Sequence, residues 1–438
     1  MLDSLLGRDV PCSNGRVARV ETRLATVRRG ALSDVGEAAR SLGFGPRVAL
    51  VADRHTWLAA GEQASALLAS AGFTVQRVVF DAEPHAGPES IAWVRARLES
   101  PAALIAVGSG TINDIVKTAS TELAIPYLSV GTALSMNGYT SSISAVLVDG
   151  VKRTLPACPP VGVILDLDVC AAAPRTLTLA GLGDMLSKPF SEADWRLSHH
   201  LTGEAWFPDP GDLLGDAFAA MLRDAAAIGL GEPAALASLA DAILLSGLSM
   251  TIAGASSPAS GGEHLFSHYW DMLCYARHEE PHGLHGTQVG VACCLIEPLH
   301  HRVITLESVD VPAAIARHPA TRALAEAQVR GRHRRLPASV VDAIVAQALA
   351  KWQPPEILRE RLSAFQERRA AILAHVGAAL LPVGAVRAAL LAAGGPTEPQ
   401  QIHPELAGDL AHWSIARDIR SRYTVLDLAS ELGLLEPA

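Results

Sequence analysis

Cysteine is scarce and unpatterned in this chain of 438 residues. The six cysteines stand at 12, 158, 170, 274, 293 and 294, with no CxxC pair. The adjacency of Cys293 and Cys294 suits neither a metal nor a disulfide. Reduced, buried thiols in a cytoplasmic enzyme are the better reading. The first residues, MLDSLLGRDVPCSNGR, lack a basic start followed by an apolar core, so no secretory signal is expected. A long unbroken apolar run is missing too. The best uncharged stretch, Ala242 to Gly262, is interrupted by serines, glycines and Pro258, which argues against a membrane span. Positive charge is in deficit: 36 Lys and Arg against 45 Asp and Glu give a net charge of −9. That balance disfavours a nucleic-acid partner. The one basic cluster, RGRHRRLP at 330–337, reads as a solvated loop. There is no internal repeat and no long low-complexity tract.

What is present is apolar material for a large core. The chain is 49% hydrophobic and 18% charged, with a mean hydropathy of +0.24. This excludes a mainly disordered protein. At about 150 residues per domain, the length suggests two or three domains.

The first 168 residues alternate strand-like and helix-like patterns. RVALVAD (47–53), TVQRVVF (74–80), ALIAVGS (103–109), PYLSV (126–130) and VGVILDL (161–167) read as strands. A helix within Ala59–Ala71 should stop at Gly72, and another should begin at Pro88. Asp149-Gly150 between SAVLV and VKRTL signals a hairpin. Such alternation predicts a Rossmann-like α/β domain with a mostly parallel sheet. From 169 to 438, Ala/Leu-rich segments at 212–230, 233–254, 339–352, 358–380 and 405–435 predict an all-α domain.

Two places carry chemistry. Gly108-Ser109-Gly110-Thr111-Ile112 follows a strand and opens a helix, so its backbone and free N–H groups suit a pyrophosphate. A plain tight turn explains the same residues equally well. Asp53 at the end of the first strand suits a cofactor ribose or simple loop capping. The second place is a histidine cluster: seven of sixteen fall between 264 and 301. His264 and His268 are four apart and would share a helix face, with His285 on a second helix. With Asp184, a carboxylate in an apolar helix, they offer a three-ligand site for a catalytic divalent metal. Satisfied core histidines are the alternative. His282, His300 and His301 are read as surface residues.

Several segments in order resemble the sn-glycerol-1-phosphate dehydrogenase family, especially its bacterial branch. They are GSGTINDIVK, SVGTALSMNGYTSSISA, VILDLDVCAAAPRTLTLAGLGDMLSKPFSEADW, GGEHLFSH, HGTQVGV and IRSRYTVLDLASELGL. The resemblance implies a dehydroquinate synthase-like fold shared with iron-containing alcohol dehydrogenases. It also implies hydride transfer between NAD(P)H and dihydroxyacetone phosphate. Gly108, Ser109, Gly110, Thr111 and Ile112 would hold the NAD(P) pyrophosphate. Thr132, Ala133, Leu134, Ser135 and Ser141 would line the nicotinamide half. Asp184, His264 and His285 would bind the metal, zinc first, with nickel or iron as alternatives. His268 becomes a substrate or proton-relay residue, with Asp184 also touching substrate. A homodimer or larger assembly is implied as well. Asn137 stands where the family has a substrate-contacting Asp, which loses a charge and adds an NH2 donor. That change opens the alternative of a different polyol or sugar phosphate. A dehydroquinate synthase-like lyase is a further alternative. Gly131 replaces a usual proline and is expected to loosen the loop that follows. For the substrate phosphate, Lys188 is the first candidate, four residues after Asp184 on one helix face. Arg420 and Arg422 stand behind it.

Overall fold

The computed structural model describes residues 2–148, 151–406 and 413–435. The chain gathers into two units. The first comprises Met1–Met185, Phe207–Ser256 and Ala392–Gly395; the second comprises Leu186–Trp206, Ser257–Leu391 and Pro396–Ala438.

Among its described residues the first unit has ten strands: β1 (Asp9–Pro11), β2 (Val17–Arg19), β3 (Leu24–Arg28), β4 (Arg47–Asp53), β5 (Thr74–Phe80), β6 (Ala103–Gly108), β7 (Tyr127–Gly131), β8 (Ile143–Val148), β9 (Val151–Pro156) and β10 (Gly162–Asp166). Six form one sheet in the order β3-β10-β7-β6-β4-β5. Every neighbouring pair in it is parallel. β6, β7 and β10 are buried along their whole length, as strands covered on both faces must be. The chain passes from β4 outward to β5, then back across β4 to β6. The sheet therefore reverses direction between β4 and β6. Ligands of open α/β sheets sit at such a reversal, beyond the carboxyl ends of the strands. Those ends are Asp53 and Gly108.

β3 and the β1–β2 hairpin have no counterpart in the sequence reading. β3 is only half-buried, so its residues show no clear periodicity. β8 and β9 pair antiparallel with Val148 opposite Val151, as a hairpin there requires. Asp149 and Gly150 themselves lie outside the described residues. Gly72 adopts φ +91°, a conformation that favours glycine and stops the preceding helix.

The expected boundary at 168 does not coincide with the observed division. Residues 169–185 and 207–256 belong with the sheet unit. The helix Pro233–Ala253 explains this: it packs on β2, β3 and the helices Leu167–Ala172 and Asp209–Arg223. It is long and apolar enough to cross a membrane, yet 78% of its most apolar window is buried inside the protein. A helix apolar on all sides is a core element wherever protein surrounds it.

Among its described residues the second unit holds helices and no strand. Its centre includes the helices Lys188–Thr202, Gly262–Ala276, His285–Ile304 and Pro355–Gly377. Asp194 is fully buried and organises two helix starts. Its carboxylate accepts from Gly262 N and from Val425 N, each at 2.7 Å. The expected continuous helix over 405–435 is broken into Trp413–Asp418 and Val425–Glu431. None of the six cysteines forms a disulfide, and only Cys158 is exposed.

Candidate active site

In the first unit, β6 ends at Gly108 and the helix Gly110–Leu123 begins two residues later. A side chain at Gly108 would lie 2.6 Å from Ile112 Cβ, so only glycine permits this tight entry. Ser109 holds the N-cap position without capping the helix through its hydroxyl. Instead, Ser109 Oγ pairs with Ser135 Oγ at 2.5 Å. The first N–H groups of the helix thus face outward with the positive end of its dipole, the arrangement that suits phosphate oxygens.

The segment 132–142 follows β7 and is held from several sides. Tyr139 Oη donates to Ala133 O at 2.7 Å, and Thr140 Oγ1 to Leu244 O at 2.6 Å. Lys117, wholly buried on the helix Gly110–Leu123, donates to Gly138 O (2.6 Å), Ser141 Oγ (3.1 Å) and Ile143 O (2.9 Å). Burial pushes this ammonium down to about 8, with Asp114 pulling the other way. Lys117 thus anchors the segment by a buried cation, a role the sequence reading missed. Periodicity hides it: Lys117 lies nearly opposite the stripe of Ile112, Ile115, Val116 and Ala119, where a lysine reads as solvated, yet this helix is buried on that side too. Glycines allow the close approach. A Cβ at Gly181 would lie 1.8 Å from Leu134 O, and one at Gly247 2.2 Å from Thr140 Oγ1. Gly131 does not loosen the segment. It is the last residue of β7, and a Cβ there would lie 2.4 Å from Leu165 Cδ2.

Asp184 is buried on the helix Arg175–Leu186, and its Oδ2 accepts from Asn137 N at 3.1 Å. Asn137 Nδ2 in turn donates to Ser246 Oγ at 3.3 Å. Asp53 has a defined local role. Its Oδ1 accepts from His55 N and Thr56 N, both at 2.8 Å, and caps a helix start. Loop capping is therefore the role its geometry displays.

In the second unit, the three histidines converge. His264 and His285 rings are 5.3 Å apart, His268 and His285 5.4 Å, and His264 and His268 6.2 Å. His264 Nδ1 lies 2.8 Å from Glu263 Oε1, which also accepts from Ser191 Oγ (2.7 Å) and Gly261 N (2.8 Å). Burial would raise the Glu263 carboxyl, but the hydrogen bond and charge of His264 bring it below the usual value. A carboxylate partner holds a proton on His264 Nδ1, so that the neutral ring carries its lone pair on Nε2. His285 reaches the same state by a relay. Ser267 Oγ donates to Gln288 Oε1 at 2.6 Å, so it accepts from His285 Nδ1 at 2.8 Å. Gln288 is oriented by donating to Asp271 Oδ1 and His282 O, each at 3.0 Å. Metal-bound histidines almost always carry such a partner on the other ring nitrogen. The donor set fits a divalent cation.

Lys188 does not share a helix with Asp184. The helix Arg175–Leu186 ends first, and Lys188 opens the next. Its Nζ donates to Ser187 Oγ and Ala259 O, both at 3.1 Å. Arg422 Nη1 donates to the neighbouring carbonyl, Ser260 O. Burial, and then the charge of Arg422, hold Arg420 down at about 10. Lys188 and Arg422 thus both reach the turn that leads into the helix bearing His264 and His268. His300, read as a surface residue, is buried.

The sequence model of the family described as iron-containing alcohol dehydrogenase matches residues 26–174. A glycerol-1-phosphate dehydrogenase [NAD(P)+] of Geobacillus thermodenitrificans is 36% identical over 262 residues, 59% of this chain and 65% of that protein. The Bacillus subtilis protein of the same name is 35% identical over 262 residues, covering 58% and 66%. The Pyrococcus furiosus one is 40% identical over 197 residues, covering 45% and 55%. Over these spans the chain is similar to glycerol-1-phosphate dehydrogenases, and its residues 26–174 match the iron-containing alcohol dehydrogenase family model. It spans just under two thirds of the length of the bacterial relatives and about half that of the Pyrococcus ones. Among solved structures, a 1,3-propanediol oxidoreductase is similar with a TM-score of 0.57 at 15% identity, covering 95% of this chain and 98% of that one. A sulfoacetaldehyde reductase from Bifidobacterium kashiwanohense in complex with NAD+ gives 0.56 at 14%, covering 94% and 96%. These likenesses establish a fold shared with iron-containing alcohol dehydrogenases, the dehydroquinate synthase-like architecture.

Proposed function

We propose that this protein is a metal-dependent NAD(P)H oxidoreductase that interconverts dihydroxyacetone phosphate and sn-glycerol 1-phosphate. The observation that carries the reading is the pair His264 and His285, each with its Nδ1 committed to a partner and its lone pair on Nε2. We assign the divalent metal to His264, His285 and Asp184, zinc first, with nickel or iron as alternatives. When bound, the metal would act as a Lewis acid on the substrate carbonyl. Gly108, Ser109, Gly110, Thr111 and Ile112 would take the cofactor pyrophosphate. Thr132, Ala133, Leu134, Ser135 and Ser141 would line its nicotinamide half. Asp53 would reach the ribose through its second carboxylate oxygen. His268 would hold the proton that the reduced carbonyl oxygen requires, directly or through an oriented water. Asn137 and Lys188 would contact substrate, and the cations Lys188, Arg420 and Arg422 favour a phosphate-bearing one. The free cysteines support a cytoplasmic setting. A homodimer or larger assembly rests on the family resemblance.

A second reading keeps the site and changes the polyol. Asn137 favours it, because its amide donates to Ser246 where the family carries a carboxylate. The test is NADH oxidation by metal-reconstituted protein with dihydroxyacetone phosphate, dihydroxyacetone and glyceraldehyde 3-phosphate. Turnover confined to dihydroxyacetone phosphate, lost in His264→Ala, is the expected result. No turnover with any of the three, in protein that binds metal and NADH, overturns the first reading.

A further inference from the structure

His282, His403 and Glu405 form a second cluster of metal-ligating groups in the second unit, apart from the three histidines assigned above. One donor atom from each lies within 4.8 Å of the other two. The His282 and His403 rings stack at 3.6 Å with 6° between their planes, and His282 Nε2 lies 3.9 Å from Glu405 Oε2. His282 Nε2 is sealed from solvent and makes no hydrogen bond. A ring nitrogen in that state costs free energy unless something engages it. We propose that His282, His403 and Glu405 bind a second divalent cation of the zinc or nickel class.

The donor chemistry selects that class. Two imidazoles and one carboxylate suit zinc, nickel or copper better than magnesium or calcium, which prefer oxygen alone. Metal–ligand bonds of about 2.0–2.1 Å place tetrahedral ligands about 3.3 Å apart. Closing the cluster therefore requires donor shifts of about 1.5 Å together with a splaying of the stacked His282 and His403 rings, whose in-plane lone pairs meet at one ion only when the rings open. Glu405, with its side chain 59% exposed, is free to make most of the donor shift. Two contacts must yield. Arg277 Nη1 pairs with Glu405 Oε2 at 2.8 Å, and Glu405 N donates to His403 Nδ1 at 3.3 Å. The first is an exposed ion pair and the second a long hydrogen bond, and both are weak opponents.

The position gives the site a consequence. His282 O accepts from Gln288 Nε2, and Gln288 Oε1 accepts from the Ser267 hydroxyl that orients His285. A cation here fixes the loop that holds the His285 relay to the segment Pro399–Leu406. It acts as a tie between two segments, with no part in the hydride transfer.

The experiment is a zinc titration of the full chain against a chromophoric chelator, repeated with nickel. It compares the native protein with His403→Ala, Glu405→Gln and His264→Ala, and with His85→Ala as a surface-histidine control. The native chain is expected to bind two ions, and His403→Ala and His264→Ala one each. His85→Ala should bind two, and Glu405→Gln should weaken the second ion at least tenfold. One ion in the native chain, or an equal count in His403→Ala and native protein, overturns the proposal. Loss of an ion only in His264→Ala also overturns it, while leaving the first site standing. Retention of the helical circular dichroism spectrum in His403→Ala shows that a lost ion reflects lost ligands.

Discussion

Replacing Glu263 by glutamine removes a charge and almost no volume. Three donors converge on Oε1: His264 Nδ1, Ser191 Oγ and Gly261 N, at 2.7–2.8 Å. An amide oxygen at the same place can accept all three. What is lost is the ionic component of the bond to His264. A hydrogen bond to a charged group contributes about 1.5–3 kcal/mol and a neutral one about 0.5–1.5. The difference, about 1–1.5 kcal/mol, reaches His264 as a less basic Nε2. It translates to roughly a fivefold to tenfold loss of metal affinity, near the lower end seen when such outer partners are changed. Chelator competition with Glu263→Gln measures it directly, with the thermal midpoint as a check on folding. A dissociation constant within twofold of native, in a variant that melts at the native temperature, would refute the argument. Glutamine would then be as good a partner as glutamate, and His264 would owe nothing to the charge.

Other expectations concern the scaffold. Lys117→Ala removes three hydrogen bonds from a buried cation and leaves the carbonyls of Gly138 and Ile143 to Ser141; a loss of about 2–3 kcal/mol in urea unfolding and weakened NADH binding are expected. Gly181→Ala drives a methyl into Leu134 O and should raise the dissociation constant for NADH at least tenfold, read by fluorescence titration. Asp418 is wholly buried against Arg417, His333 and Arg332, and although burial opposes it, those partners hold its carboxyl well below the usual range. Its folded value is below its unfolded one, so its stabilisation is complete above about pH 4 and fades as pH falls further. Thermal midpoints from pH 5 to pH 3 should drop steeply in native protein and less in Asp418→Asn, which starts lower. His300 is pushed down to about 3 by burial, so folding excludes its proton, and stability should decline as pH falls below about 6.5. A His300→Gln variant should lose up to about 1.4 kcal/mol per pH unit of that slope between pH 6 and 4.

The parallel sheet was legible because β4, β6 and β10 are continuous apolar runs bounded by turn residues. Gly108 was legible for a related reason: a glycine between a strand and a helix marks a constrained entry. β3 escaped because its half-exposed residues carry no period. The domain cut at 168 failed because helical texture does not reveal which partner a helix packs against. The helix Pro233–Ala253 reads like any bundle helix, yet β2 and β3 cover it. Spacing alone placed His264 and His268 on one face. It could not reveal Glu263 or Ser267 as the partners that fix ring tautomers. Those contacts depend on a buried carboxylate next door to His264 in sequence and, for His285, on a hydroxyl 18 residues away on another helix. Lys188 was misplaced by a single helix break at Ser187, which removed the i,i+4 relation to Asp184.

In the proposed reading, the residues that would carry reaction class and those that would carry substrate choice are different, and they are built differently. His264 and His285 sit on helices, with Nδ1 held by groups that are themselves hydrogen-bonded. Any substitution of the polyol leaves that arrangement untouched. Asn137 stands on a segment fixed by backbone contacts: its N–H to Asp184, and its neighbours to Lys117 and Thr140. Its side chain touches only Ser246 among the contacts that define the segment. A change from carboxylate to amide there alters one charge while the backbone stays where it is. Asp184 would gain a like-charged neighbour in Asn137→Asp, and the amide's donation to Ser246 would reverse direction. Under the proposed reading, a change at residue 137 would alter substrate preference by one charge, at a stability cost set by the buried Asp184 beside it, while the histidines would keep the chemistry constant.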